Sequence, residues 1–277
     1  MEIKSMAHKA RKLEVLKEKK WFPIALVAMV ILGLFYVERG RILDVLRTQT
    51  APALPDAIDY QGDQFAESKP GTTKPAQSPA THTTIVAEIN LAVPFTVQAP
   101  TTDWNQPYQD ACEEASVLMV KEYYAKGPRL IDPDVATKEI LAMVAFEDQL
   151  FGYNIDTTVA ETALFAEEMY GLQAEILENP TVEQLKVRLD KGQPIIFPAA
   201  GQVLKNPYFT PPGPTYHMAV IRGYTKNNLF IVNDPGTKRG NAYVYSFDTL
   251  MSAIHDWNAG ADILEGKKVV LILHPKK

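Results

Sequence analysis

Tyr108-Gln109-Asp110-Ala111-Cys112-Glu113-Glu114-Ala115-Ser116 holds the one cysteine of this 277-residue chain. Asp110 and Glu113, three residues apart, fit the reciprocal capping pattern that opens a helix, and Gly127-Pro128 stops it. A helix over residues 110–126 sets Cys112 in its first turn. There the backbone N–H groups lack partners within the helix, and its end carries roughly half a positive charge. Such a place favours the thiolate, the reactive form of a thiol whose ordinary pKa is about 8.5. Glu113 and Glu114 act the other way, because like charge raises a thiol pKa. The sequence leaves that balance open.

A base for the thiol comes from about a hundred residues further on. Tyr216–Tyr224 and Leu229–Asn233 flank the polar stretch Thr225-Lys226-Asn227-Asn228, which is a hairpin pattern. His217 lies eight residues before Thr225, and Asp234 eight after Lys226. In an antiparallel pair the two fall opposite each other or within two residues, unless a slip of one turns them to different faces. An aspartate beside an imidazole fixes its tautomer and orientation. Acyl transfer also needs donors for the developing oxyanion. The Cys112 N–H is one candidate, and Gln98, Gln106 and Gln109 all precede the cysteine. Gln98 ends an extended segment, Asn90–Gln98, in which Pro94 marks an edge. The other histidines lack a comparable partner: His8 and His82 fall before the globular part, His255 sits in a helix, and His274 is near the end. His-Glu-x-x-His, Gly-x-Ser-x-Gly and a glycine-rich phosphate loop are all missing.

The rest of the chain divides by composition. Residues 1–20 carry seven Lys or Arg against three acids and form a basic tail. Residues 21–37, Trp21 to Val37, are 17 residues without a charge. That run is at the short end of what spans a bilayer core of about 30 Å, with Trp21 and Tyr36 at its ends where amphipathic rings prefer the interface. A cleaved signal peptide has a similar n-region and h-region, but Ala51-Pro52-Ala53 lies far beyond the apolar run. The expectation is a single-pass anchor, with the N-terminus cytoplasmic and the remainder extracytoplasmic. Residues 38–88 become rich in Pro, Thr, Ala and Ser and read as a spacer. An odd cysteine in an exported protein is a free thiol or an intermolecular bridge.

Residues 89–277 read as one domain. Helices are expected near 110–126, 133–148, 157–170, 181–192 and 246–257. Strands are expected near 194–198, 216–224, 229–233, 242–246 and 268–273. Helices first and strands after imply an α+β fold. The apolar fraction of 46% suits a packed core, and the net charge of −5 gives no sign of nucleic-acid binding.

Taken in order, Val93-Pro94-Phe95-Thr96-Val97-Gln98, Asp110-Ala111-Cys112-Glu113-Glu114-Ala115-Ser116, His217-Met218-Ala219-Val220-Ile221-Arg222-Gly223-Tyr224 and Asn233-Asp234-Pro235 resemble the peptidase domains related to the bacteriocin-processing (double-glycine) cysteine peptidases. The resemblance covers roughly residues 90–275. It implies a papain-like fold, Cys112 as nucleophile, His217 as base and acid, Asp234 as orienting residue and Gln98 in the oxyanion hole. Many relatives carry Cys-Gly-Pro or Cys-Gly-Ala where this chain has Cys112-Glu113-Glu114-Ala115. The reading is then a membrane-anchored extracytoplasmic cysteine peptidase or amidase acting on a peptide or protein substrate, with no metal or cofactor implied. Alternatives are an inactive papain-like module that binds peptide or cell wall, and cell-wall peptide hydrolysis or transpeptidation.

Overall fold

The computed structural model describes residues 27, 29, 31, 52–62 and 87–276. The expected anchor lies outside the described residues apart from Val27, Met29 and Ile31, which are helical and exposed. Among the described residues no helix is long and apolar enough to cross a membrane. The chain divides into two units, Met1–Ala53 and Leu54–Lys277.

The second unit is an antiparallel sheet with helices packed on it. Its elements are β1 (Ile89–Asn90), a 3-10 turn (Tyr108–Asp110), α1 (Cys112–Tyr124), α2 (Pro133–Leu150), α3 (Val159–Tyr170), β2 (Leu172–Glu178), α4 (Val182–Asp190), β3 (Ile195–Ala200), α5 (Gly201–Leu204), β4 (Tyr216–Tyr224), β5 (Leu229–Asn233), β6 (Tyr243–Ser246), α6 (Phe247–Ala253) and β7 (Val269–Pro275). The strands run in the order β2-β7-β3-β4-β5-β6, and β1 adds to β4. All the ladders are antiparallel. The α+β expectation therefore holds.

Three local readings are corrected. Helices do not all precede strands: β2 lies between α3 and α4 and forms the edge of the sheet against β7. The extended segment 90–98 is a strand only at its start. Pro94 has no N–H to give to a ladder, and the Asn233 side-chain amide instead holds the Val93 and Pro94 carbonyls, each at 3.0 Å. Finally, residues 54–62 are not all spacer. Ile58 bridges Leu91, Tyr60 packs edge-on against Tyr124, and Asp59 pairs with Arg129.

Helix α1 is the pivot of the core. Ten of its thirteen residues are buried, and it packs on β4, α2, α3 and β7. A helix buried over most of its circumference belongs inside a domain. β4 is buried along its full length, so its residues read as a continuous apolar run rather than an alternation. Phe197 on β3, Phe230 on β5 and Leu118 on α1, the elements packed against it, are fully buried, each stabilising the fold by about 1.5–3 kcal/mol. The other helices begin as their sequences say. Thr158 with Glu161, and Thr181 with Gln184, form capping boxes.

Gly223 marks a close backbone approach between β4 and β1, beside the irregularity in the β4–β5 register. A Cβ there would lie 2.1 Å from the Ile89 carbonyl oxygen and 2.8 Å from Asn90 Cα. Both are backbone atoms that cannot rotate away. Gly223→Ala is expected to cost about 3 kcal/mol or more, read as a lower urea midpoint. A loss below about 1 kcal/mol would show that β1 is free to shift.

Candidate active site

Cys112 is the first residue of α1, as expected, but the cap is different. Ala111 is the N-cap and no side chain caps it. Asp110 closes the preceding 3-10 turn and accepts a hydrogen bond from Gln106. The turn absorbs the residue that would have capped the helix.

β4 brings in the histidine. It pairs Val220 with Asn233 on β5, and that register places Gly236 opposite His217. Asp234 lies beyond the end of β5, where its side chain turns back: Oδ1 accepts from Gly236 N–H at 3.0 Å and meets His217 Nε2 at 2.8 Å. Its other oxygen accepts from Tyr245 Oη at 2.7 Å and Asn206 Nδ2 at 3.1 Å. Asp234 is fully buried. Burial alone would raise its pKa, but the His217 charge and these hydrogen bonds hold it below the ordinary carboxylate value. The imidazole is also fenced by the edge-on ring of Phe209. A Cβ at position 236 would come within 2.9 Å of His217 Cε1. With Nε2 committed to Asp234, Nδ1 is the nitrogen left to take a proton.

Cys112, His217 and Gln98 line one cavity of about 420 Å³, together with Trp104, Phe209 and Tyr216. Gln98 is less simply placed than its role implies. Its amide nitrogen donates to the carbonyls of Tyr108 at 3.1 Å and Gln109 at 2.7 Å, and so fastens the turn that leads into Cys112. Of the other two amides, Gln109 lies at the cavity wall and Gln106 serves Asp110.

The cysteine sulfur has two close partners. Met218 N–H on β4 donates to Sγ at 3.3 Å, and Glu113 Oε2 lies 3.0 Å away. Glu113 therefore does not point along another face of the helix. Burial pushes the thiol above its ordinary pKa, an ionised Glu113 would add to the rise, and the Met218 N–H opposes it.

Behind the sulfur lie three buried acids: Glu113, Glu114 and, from α2, Glu147. Thr157 Oγ1 donates to Glu147 at 3.2 Å. Burial raises Glu113 and Glu114 well above the ordinary carboxylate value, with Glu147 adding to both. Burial pushes Glu147 up to about 7, against the hydrogen bond from Thr157. Glu113 and Glu114 stand out beside the cysteine, but their burial with Glu147 has no local signal, because Glu is rarely fully buried. Asn206 and Tyr245 were equally hidden: one sits in an irregular loop, the other on a neighbouring strand.

The comparisons place the chain. Residues 90–262 match the sequence profile of the Peptidase C39 like family, and since this is more than half of the chain, the protein belongs to that family of peptidases. Its α+β architecture is the papain-like one that the family shares. Among solved structures it is similar to a protein described as a C39-like peptidase from Bacillus anthracis (16% identity, 69% of this chain and 99% of that chain, TM-score 0.45). It is also similar to the peptidase domain of ComA from Streptococcus, a bifunctional ABC transporter of a quorum-sensing pathway (15%, 61% and 93%, 0.36). A third is a fragment of prointerpain A from Prevotella intermedia (12%, 88% and 84%, 0.43). No curated protein matches the chain.

The buried acids carry a sign that can be measured. A carboxyl whose pKa is raised from 4.5 to about 7 in the folded protein keeps its proton when the unfolded chain has already lost it. The folded state then binds more protons, and stability falls as pH rises through that window. The thermal midpoint is expected to drop between about pH 5 and pH 7.5, reflecting a loss of stability on the order of a few kcal/mol at most, and Glu147→Gln should flatten the slope. A wild-type midpoint that rises over the same range would contradict the cluster.

Proposed function

We propose that the protein is a cysteine peptidase working through Cys112, His217 and Asp234. The observation that carries this reading is the 2.8 Å contact between His217 Nε2 and the buried Asp234 carboxylate, on the wall of the cavity that Cys112 also lines. His217 Nδ1 takes the thiol proton as sulfur attacks the scissile carbonyl, and returns it to the leaving amine. A thioester forms, and water, activated by the same imidazole, releases the acid. Asp234 holds the ring and offsets the imidazolium charge. The Cys112 backbone N–H, at the open end of α1, is one oxyanion donor. Gln98 is the other, once its amide gives up one of the two carbonyls it now holds.

The substrate is a peptide or protein, as family membership implies. The basic tail 1–20 and the uncharged run 21–37 support a single-pass anchor, with residues 38–88 between it and an extracytoplasmic peptidase domain. The expected fractionation is sedimentation of the full chain with membranes, and a soluble protein once residues 1–37 are removed. A full chain that stays soluble rejects the anchor.

For the chemistry, cleavage of a mixed peptide library followed by mass spectrometry is the direct test. Cys112→Ala is expected to abolish cleavage with the thermal midpoint little changed. Asp234→Asn, which removes the charge that offsets the imidazolium, should lower kcat/KM at least about a hundredfold. Cleavage that survives in Cys112→Ala removes the assignment and leaves a peptide-binding module as the alternative.

A further inference from the structure

Glu113 is a titratable side chain lying against the nucleophile's sulfur, and the mechanism above leaves it unused. Its carboxyl oxygen is 3.0 Å from Cys112 Sγ, and the residue is 1% exposed. We infer that Glu113 is a positioning residue that acts as a neutral carboxylic acid, its O–H donating to Cys112 Sγ so that the sulfur can lose its proton to His217. This inference rests on the reading of Cys112 as nucleophile.

The geometry decides between two protonation states. An ionised Glu113 can only accept, so it would hold the thiol proton on sulfur and oppose attack. A neutral Glu113 has an O–H to give. Sulfur then faces two donors, the Glu113 O–H and the Met218 N–H at 3.3 Å, and Cys112 lines the cavity that a carbonyl would enter. In the step itself the S–H proton moves to His217 Nδ1 and the S–H electron pair stays on sulfur. Glu113 keeps its own proton throughout and lends only a hydrogen bond.

The surroundings favour the neutral state. The groups acting on Glu113 are acids and a tyrosine hydroxyl: Glu114 on its own helix, Glu147 on α2, Asp156 in the following loop and Tyr216 on β4. Tyr216 Oη in turn bonds the Thr157 carbonyl at 3.1 Å and Asp256 at 3.2 Å. Neighbouring buried carboxyls cannot all ionise, because each charge raises the cost of the next. A carboxylic acid kept neutral at pH 7 by an apolar site so that it can donate is a known catalytic device. The Cys-Glu-Glu-Ala motif thereby acquires a role that glycine at the same position could not fill.

The test is the rate of iodoacetamide alkylation of Cys112 against pH, in the full chain, for wild type, Glu113→Ala, Glu113→Gln and His217→Ala, with near-ultraviolet circular dichroism to check folding. The expected result is that Glu113→Ala raises the midpoint of the profile by about one unit, close to a tenfold slower reaction at pH 7. Glu113→Gln, an isosteric neutral donor, should stay near the wild-type midpoint. A midpoint that falls by a unit or more in Glu113→Gln shows an ionised Glu113 and overturns the inference. An unchanged midpoint in Glu113→Ala overturns it as well. If Glu113→Ala does not fold, the infrared C=O band of a protonated carboxyl at pH 7 decides: loss of that band in Glu113→Gln supports the neutral acid, and its absence from the wild type rejects it. Failure of the underlying reading looks different: a wild-type midpoint indifferent to His217→Ala, with cleavage retained in Cys112→Ala.

Discussion

The buried carboxylate of Asp234 is the constraint on which the site depends. An anion with no solvent contact is tolerated only when donors surround it, and here four do: an imidazole, a backbone N–H, a tyrosine hydroxyl and an asparagine amide. Each comes from a different place in the chain. Meeting that requirement fixes the corner after β5, the end of β6 and the loop after α5 together, and His217 is aimed as a by-product. Gly240 belongs to the same arrangement. Its backbone carbonyl receives the Asp234 N–H at 3.0 Å, and its own Cα is so close to the Asp234 carbonyl that a side chain has no room.

The second demand is opposite in sign. α1 is driven into the core by Val117, Leu118, Met119 and Val120, all fully buried. Its first turn carries two glutamates with it, because a helix cannot bury its middle on every side and leave its packed end in water. The apolar burial of those four residues, at about 1.5–3 kcal/mol each, is large enough to carry acids that stay neutral. One side of the site thus holds a stabilised negative charge and the other suppresses it. The nucleophile sits between the two.

What could be read from the residues follows from the physics of each segment. Leu229–Asn233 was placed to the residue because it is short, β-branched and bounded by polar turns on both sides. The helix starts expected at 157 and 181 fall within a residue of the N-caps at Thr158 and Thr181, because a capping box is a local pattern. β2 was missed because Leu172–Glu178 mixes Gln173, Glu175 and Glu178 with its apolar residues, and only its pairing with β7 makes it a strand. The capping role of Asp110 failed because the 3-10 turn competes for the same residue. His217 and Asp234 were legible as a pair from hairpin symmetry, whereas their supports, Asn206 and Tyr245, are brought in by tertiary packing that no local pattern announces. Glu113 was noticed only as a charge, since its contact with sulfur depends on which way a buried side chain turns.

Residues 54–62 have a mechanical consequence. Ile58 is held by two backbone hydrogen bonds of 2.8 Å, to the Asn90 carbonyl and from the Ala92 N–H, and Asn90 reaches the Pro55 carbonyl at 2.9 Å. Leu91 in turn draws on the Arg222 carbonyl of β4. Tension applied to the chain ahead of Leu54 therefore loads this small clasp first, and the strand that carries the imidazole feels the strain only after the clasp has yielded.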